Sequence, residues 1–563
     1  MTAYEDALLR EARTVYGARG DGVAAALRDL AARFEPPPGR APVAPVARMG
    51  AEDAVLITYA DMVRTPGEPP LRTLLRLLRG PLADTVSTVH LLPFFPWSSD
   101  DGFAVEDYRA VAPAYGDWDD VHALGREHRL MVDAVVNHAS ARGAWFAGFL
   151  RDEPPYRAWF RTEDPDTDLS AIVRPRTTPL LTPFDTAAGR RWVWTTFGPD
   201  QVDLDYREPS LLLEIAAVLL DYVAHGAEVL RMDAVTYLWK ELGTPSVHHP
   251  KTHAVLRLLR AFLETAAPWV VLLTETNVPH AENVAYFGGG DDEAQMVYNF
   301  ALPPLVLHTV VSGDTGPLRE WAASLRTPSD QTWFLNFLAS HDGIGVRPVE
   351  GLLPPEAIDA LVRRTERAGG RIGRKRDADG SESAYELNVN LFDVLGDPER
   401  DEPLARQIDR FVAAHAVMAA LPGVPALYLH SLLGSRGAPE LVTASGVPRA
   451  INREKLDEAT LLRELADPDG RRARIVRALR RLLRARRRPA FHPAAPATAL
   501  DLPSGVFGVR RGRDEDAVAC VQELAGRGAA VHLDRPGYDV LTGDRVAAGE
   551  LRLAPYEVRW IAS

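Results

Sequence analysis

Eight short apolar runs recur along this chain with helical patterns between most of them, and that alternation restricts its fold more than any other feature. They are VLITYAD ending at Asp61, TVHLLPF ending at Phe94, LMVDAVVNH ending at His138, VLRMDAV around Asp233, VVLLTE ending at Glu275, MVYNF ending at Phe300, WFLNFLASHD ending at Asp342 and PALYLHS ending at Ser431. Segments such as SLLLEIAAVLLDYVAHG and THAVLRLLRAFLETA separate them. Strands alternating with helices make βαβ units, and eight such units close into a parallel barrel. The fold class expected is therefore α/β, a (β/α)8 TIM barrel.

The barrel is expected over residues 51–138 and 204–490, far more than the roughly 250 residues a bare barrel needs, so it must carry insertions. Residues 139–203, rich in Trp, Arg and Pro, form an inserted domain after strand 3. Residues 348–400 form a second insertion after strand 7, within the barrel span. Insertions at the C-terminal ends of barrel strands build active-site walls. Residues 1–50 read as an N-terminal helical arm, GVAAALRDLAARF, and a Pro-rich linker; residues 491–563 change to short alternating runs and predict a C-terminal all-β domain.

A formal net charge of −13 argues against nucleic acid and anionic membrane as partners. The Arg-rich stretch RRARIVRALRRLLRARRR does not change this, because Ile475, Val476, Leu479, Leu482 and Leu483 form one apolar helix face and the arginines its solvated side. The single cysteine, Cys520, excludes an internal disulfide and a Cys-based zinc site. No stretch approaches the roughly 20 apolar residues that cross a bilayer, and the first residues hold no basic segment leading into an apolar run, so a cytoplasmic location is expected. The oligomeric state is left open.

Arg231 and Asp233 stand two apart in an otherwise apolar strand. Asp233, Glu275 and Asp342, with His341 beside the last, fall at the ends of strands 4, 5 and 7; Asp133, Asn137 and His138 fall on strand 3. In barrels of this kind the active site lies at that end. Several carboxylates around one point suit glycosidic bond cleavage: one attacks, a second exchanges a proton, others stabilise a cationic transition state. A cation at Arg231 is expected to lower the pKa of Asp233, and neighbouring negative charge to raise that of Glu275.

The segments VDAVVNH, VLRMDAV, LLTETN and ASHDGIG, in this order, resemble the four signature segments of the α-amylase clan of retaining glycoside-active enzymes (glycoside hydrolase family 13). Within it, LITYAD, VHLLPFFPWSSDDGF, YGDWDDV, FGPDQVDLDY, SHDGIGV and AINRE are similar to the sucrose phosphorylase group. The resemblance implies that Asp233 is the nucleophile, Glu275 the acid/base and Asp342 the transition-state stabiliser. It implies that Asp61 and Arg453 hold the far hydroxyls of a bound glucose, that His90, Arg231 and His341 line the same subsite with Asp133 and His138, and that Phe103 is an apolar platform. The reaction implied is retaining transfer of glucose from a small α-glucoside to inorganic phosphate as co-substrate, through a covalent β-glucosyl enzyme, with no cofactor and no metal. Without phosphate the same residues would serve an α-glucosidase or transglucosidase.

The leaving group is expected to be anionic. Arg347 lies near the predicted mouth and Arg374, Lys375 and Arg376 in the next insertion, and Arg binds a carboxylate or phosphate through two oxygens. This region is most similar to the glucosylglycerate phosphorylases, ahead of enzymes acting on sucrose, sucrose 6′-phosphate or glucosylglycerol.

Overall fold

In the computed structural model, which describes residues 3–376, 381–397, 399 and 401–562, the eight runs become β1 (Val55–Thr58), β2 (Thr88–Leu91), β3 (Arg129–Val135), β4 (Ala227–Asp233), β5 (Val271–Thr274), β6 (Met296–Tyr298), β7 (Trp333–Asn336) and β8 (Val424–Tyr428). They pair in sequence order, and β8 returns to β1 with Val55 opposite Ala426, so the sheet is closed and wholly parallel. Strands covered on both faces must be apolar throughout, which is why these runs lack polar alternation.

Most strands stop before the sequence pattern does. Only Asp233 ends a strand; Asp61, Phe94, Glu275, Phe300 and Asp342 lie in the loops beyond, Asp342 well past Asn336, and Ser431 lies in the short helix Leu429–Leu432. His138 does not continue β3 but opens a short strand, His138–Ser140, that pairs antiparallel with Gln201–Asp203 at the root of the segment between β3 and β4. An apolar run marks burial, and loops folded over a barrel mouth are buried too.

That segment adds a helix, Ala144–Leu150, and an antiparallel sheet of Thr162–Glu163, Gly189–Trp194 and Leu181–Thr186. After β7, the hairpin Arg371–Arg376 and Glu382–Asn388 pairs with Ile344–Gly345 and leans over the same mouth. At the N-terminus, a helix not expected from the sequence, Ala3–Tyr16, precedes Gly20–Arg33 and packs on Pro250–Ala266, with Glu11 and Arg257 paired at 3.0 Å. Its Leu8, Ala12 and Val15 fall on one buried face.

The basic helix, Arg471–Ala485, buries Ile475, Val476, Leu479, Leu482 and Leu483. The C-terminal strands form a six-stranded sheet and a separate two-stranded pair. Buried Arg511 fastens this layer to the barrel by donating to the carbonyls of Ala420 and Leu421, and buried Arg486, at the end of the basic helix, donates to those of Ala419 and Gly423. They thereby satisfy carbonyls left over where the helix Leu404–Ala420 ends.

Candidate active site

Register builds the floor of the pocket. Arg231 on β4 pairs with Asp133 on β3, and residues two apart on a strand share a face, so Arg231, Asp133 and Asp233 meet. Arg231 Nη1 hydrogen-bonds Asp133 and, at 2.9 Å, Asp233 Oδ1. The second Asp133 oxygen is 2.6 Å from His90 Nε2. His90 and Asp133 are wholly buried beneath Arg231 and do not reach the pocket.

Ala234, next to Asp233, has φ 52° and ψ 32°, the left-handed region that costs a residue with a Cβ roughly 1–2 kcal/mol. The turn aims its N–H at Glu275 Oε2, 3.1 Å away, while the Glu275 N–H donates to Met232 at 3.0 Å. The turn holds the two acids, at the ends of adjacent strands, in one place.

Asp342 faces them from the loop after β7. Around its Oδ1 stand Arg449 Nη1 at 2.7 Å, His341 Nε2 at 3.5 Å and Arg453 Nη2 at 3.7 Å. Asp100, Phe103, His138, Phe197 and Gln201 form one wall of the pocket; Thr236, Tyr237 and Asn277 form another; Tyr385, Arg449 and Arg176 complete the rim. The Phe103 ring lies parallel to His341 at 5.0 Å, so one of its faces is already covered.

Several residues expected here stand elsewhere. Asp61 is outside the pocket, held by Lys455 at 2.6 Å and Arg64 at 2.5 Å. Arg453 lies behind the lining, donating to Asp101 at 2.5 Å and to the His341 carbonyl at 2.9 Å. Arg347 is half-buried outside the lining, with Nη2 4.0 Å from Glu282 Oε2. Arg374 lines a separate groove, Lys375 sits 3.7 Å from Glu350, and the side chain of Arg376 lies outside the described residues.

In place of Asp61 the pocket has Asp100, in a loop where Asp100 and Asp101 both have positive φ and where a Cβ on Gly102 would sit 2.6 Å from the Pro93 carbonyl oxygen. Arg176 and Arg449 were not singled out from sequence. Arg449 stands four places before Arg453 in RAINRE, a spacing that in hindsight marked it.

Burial pushes Asp233 up to about 7; Arg231 opposes this, and Asp133 and Asp342 add to it. The expected low pKa of Asp233 is therefore not found, because burial outweighs the Arg231 charge, which Asp233 also shares with Asp133. Burial likewise pushes Glu275 up to about 7, against Arg231 and with help from Asp233 and Asp342. Two acids this strongly coupled share their titration. The Arg231 contact favours charge on Asp233 and leaves the proton on Glu275. For Asp342 burial also opposes ionisation, but Arg449, His341, Arg453 and Arg231 outweigh it and hold the group well below the usual carboxylate range. Burial keeps His341 neutral, its pKa down at about 3.

Beside the pocket, Lys240 Nζ donates to Asn137 Oδ1 at 2.8 Å and to the Leu204 carbonyl at 3.2 Å, and pairs with Asp203 at 3.0 Å. An ammonium thus supplies the positive charge at this buried acid. Among the described residues no group of His, Cys, Asp and Glu is arranged to hold a metal ion, and no helix is long and apolar enough to cross a membrane.

Residues 85–343 match the catalytic domain of alpha-amylase. The chain is 48% identical to a glucosylglycerate phosphorylase of Allomeiothermus silvanus over 511 residues, 91% of each chain. It is 32% identical to a sucrose phosphorylase of Agrobacterium vitis, over 78% of this chain and 88% of that one. In three dimensions it resembles the sucrose 6F-phosphate phosphorylase of Thermoanaerobacter thermosaccharolyticum with a TM-score of 0.75 and 24% identity, covering 89% of this chain and 99% of that one.

Proposed function

From the premise that this chain belongs to the α-amylase family, as an α-glucoside phosphorylase, we propose that its substrate is 2-O-α-glucosylglycerate, which it converts with inorganic phosphate to α-glucose 1-phosphate and glycerate. The observation that carries this reading is the 48% identity to a glucosylglycerate phosphorylase, against 32% to a sucrose phosphorylase. Cations at the rim of the pocket support an anionic partner. Arg176 and Arg449 face its mouth, and among the described residues Arg176 has no ion-pair partner, only the Phe197 ring 5.8 Å away.

Asp233 attacks the anomeric carbon while Glu275 gives its proton to the glycerate oxygen, and the C–O bond to glycerate breaks. Asp342, ionised, stabilises the positive charge that develops on the sugar ring. Phosphate then replaces glycerate; its oxygen attacks the anomeric carbon, Glu275 recovers a proton, and the bond to Asp233 breaks. Two inversions restore the α-configuration. No step requires a metal or cofactor. Arg347 is a candidate for the glycerate carboxylate if the loop after β7 closes further on the substrate. We place the enzyme in the cytoplasm.

Phosphate release from α-glucose 1-phosphate, with glycerate, fructose, fructose 6-phosphate or glycerol added separately, tests this. Rapid release with glycerate alone is expected. Faster release with fructose or its phosphate would transfer the assignment to a sucrose-type enzyme, and release no faster than with water would remove the phosphorylase reading.

A further inference from the structure

The Arg449 side chain links two parts of the molecule that are far apart in sequence. It comes from the short helix Pro448–Asn452 after β8, and its Nη2 and Nε donate to the two oxygens of Glu386 at 2.9 and 3.1 Å. Its remaining nitrogen, Nη1, is 2.7 Å from Asp342 Oδ1. That oxygen accepts no hydrogen bond, so the contact neutralises charge without aiming an N–H along the lone pair. Glu386 is 4% exposed and lies on the hairpin strand Glu382–Asn388; it also accepts the Gly343 N–H at 3.1 Å, immediately after Asp342. A Cβ at Gly343 would fall 2.6 Å from Glu386 Cγ, so the two segments touch as closely as backbone allows.

We propose that Arg449 is a positioning residue of this reaction, gripped by Glu386 and thereby held against Asp342, so that the hairpin inserted after β7 governs the state of the barrel's third carboxylate. The geometry divides the work in two. Glu386 uses both directional bonds of the guanidinium, which fixes where the cation stands. Asp342 receives its charge at Oδ1, which is itself buried, and this leaves the other carboxylate oxygen to face a sugar. A lysine at 449 would supply the charge without the grip. The inference rests on the reading of Asp342 as the stabilising carboxylate.

The groups facing Asp342 are His341, Arg453 and Arg449, with Arg231, Asp233 and Glu275 across the pocket and Asp100 and Glu386 against Arg449. Removing one cation from this set raises every carboxyl in it. Removing Glu386 as well withdraws an uncompensated anion and lowers them again.

The experiment is the pH profile of kcat/KM for hydrolysis of α-D-glucosyl fluoride, which needs neither glycerate nor phosphate. Arg449→Gln is expected to move the acid limb to higher pH by about one unit or more. Adding Glu386→Gln should move it part of the way back, and Arg449→Lys should keep the limb near that of the wild type while lowering kcat. An unmoved acid limb in Arg449→Gln, or a Glu386→Gln change that only worsens it, overturns the proposal. Wild-type protein inert toward the fluoride removes the catalytic reading itself, and this proposal with it; an active wild type with an indifferent Arg449→Gln removes only the latter.

Discussion

A single nitrogen of Arg231 serves two acids: Nη1 lies 2.9 Å from Asp233 Oδ1 and bonds Asp133 as well. One positive charge divided between two buried anions cannot hold both far below their ordinary pKa, and Asp233 is the one that rises. Asp133→Asn should release the whole charge to Asp233 and shift the acid limb of kcat/KM to lower pH. Arg231→Ala should shift it upward and cost about 3–5 kcal/mol, the cost of breaking a buried pair from one side; pH–rate profiles and urea unfolding measure the two effects.

Asp233→Asn removes the proposed nucleophile without removing its volume. Turnover of α-glucose 1-phosphate should fall by roughly a thousandfold or more. The far-UV spectrum should be unchanged, and turnover near the wild-type rate would show that another group attacks.

Glu275 also leaves a mark on stability. Its folded pKa is raised to about 7, so between the unfolded value near 4.5 and about 7 the folded state binds the extra proton, and stability falls as pH rises through that window. Above it the full cost of a buried anion is present. Glu275→Gln should therefore raise the melting temperature at pH 8 and change it far less at pH 4. Asp342 has the opposite sign: its contribution is present above its unfolded pKa and is lost as pH falls toward its depressed folded value. Melting curves of Glu275→Gln and Asp342→Asn across pH separate the two.

Lys240→Met should destabilise the protein by about 3–5 kcal/mol, because Asp203 would stay buried without its ammonium. The two bonds Asp203 accepts from Thr196 would remain and soften the loss. Denaturant unfolding provides the number.

At the pocket mouth, Arg176→Ala should raise the KM for phosphate roughly 10- to 100-fold, the worth of a charged hydrogen bond of about 1.5–3 kcal/mol. Hydrolysis of α-glucosyl fluoride should change much less. Equal losses in both assays would place Arg176 in the glucose subsite.

The eight-strand rhythm was legible because a parallel strand is buried on both faces and so reads as an apolar run whatever its neighbours are. Asp233, Glu275 and Asp342 were legible because each follows such a run, and the structure brings all three to one pocket. His90 and Asp133 lie on the strands expected but outside the pocket lining, since position along a strand does not tell whether another side chain lies in front. Asp61 differs in another way: it follows β1 as expected, but Lys455 and Arg64 hold it, still buried, against a neighbouring groove.

Sequence alone determined the barrel and the end of it at which the three acids gather, because periodicity and burial are properties of a chain taken a few residues at a time. Only the tertiary structure decided that Arg231 divides its charge between Asp133 and Asp233, that Asp100 replaces Asp61 in the pocket, and that Arg449 bridges Asp342 and Glu386. Those are contacts between distant segments, and a pKa follows the distances that folding sets among charges rather than their order in the chain.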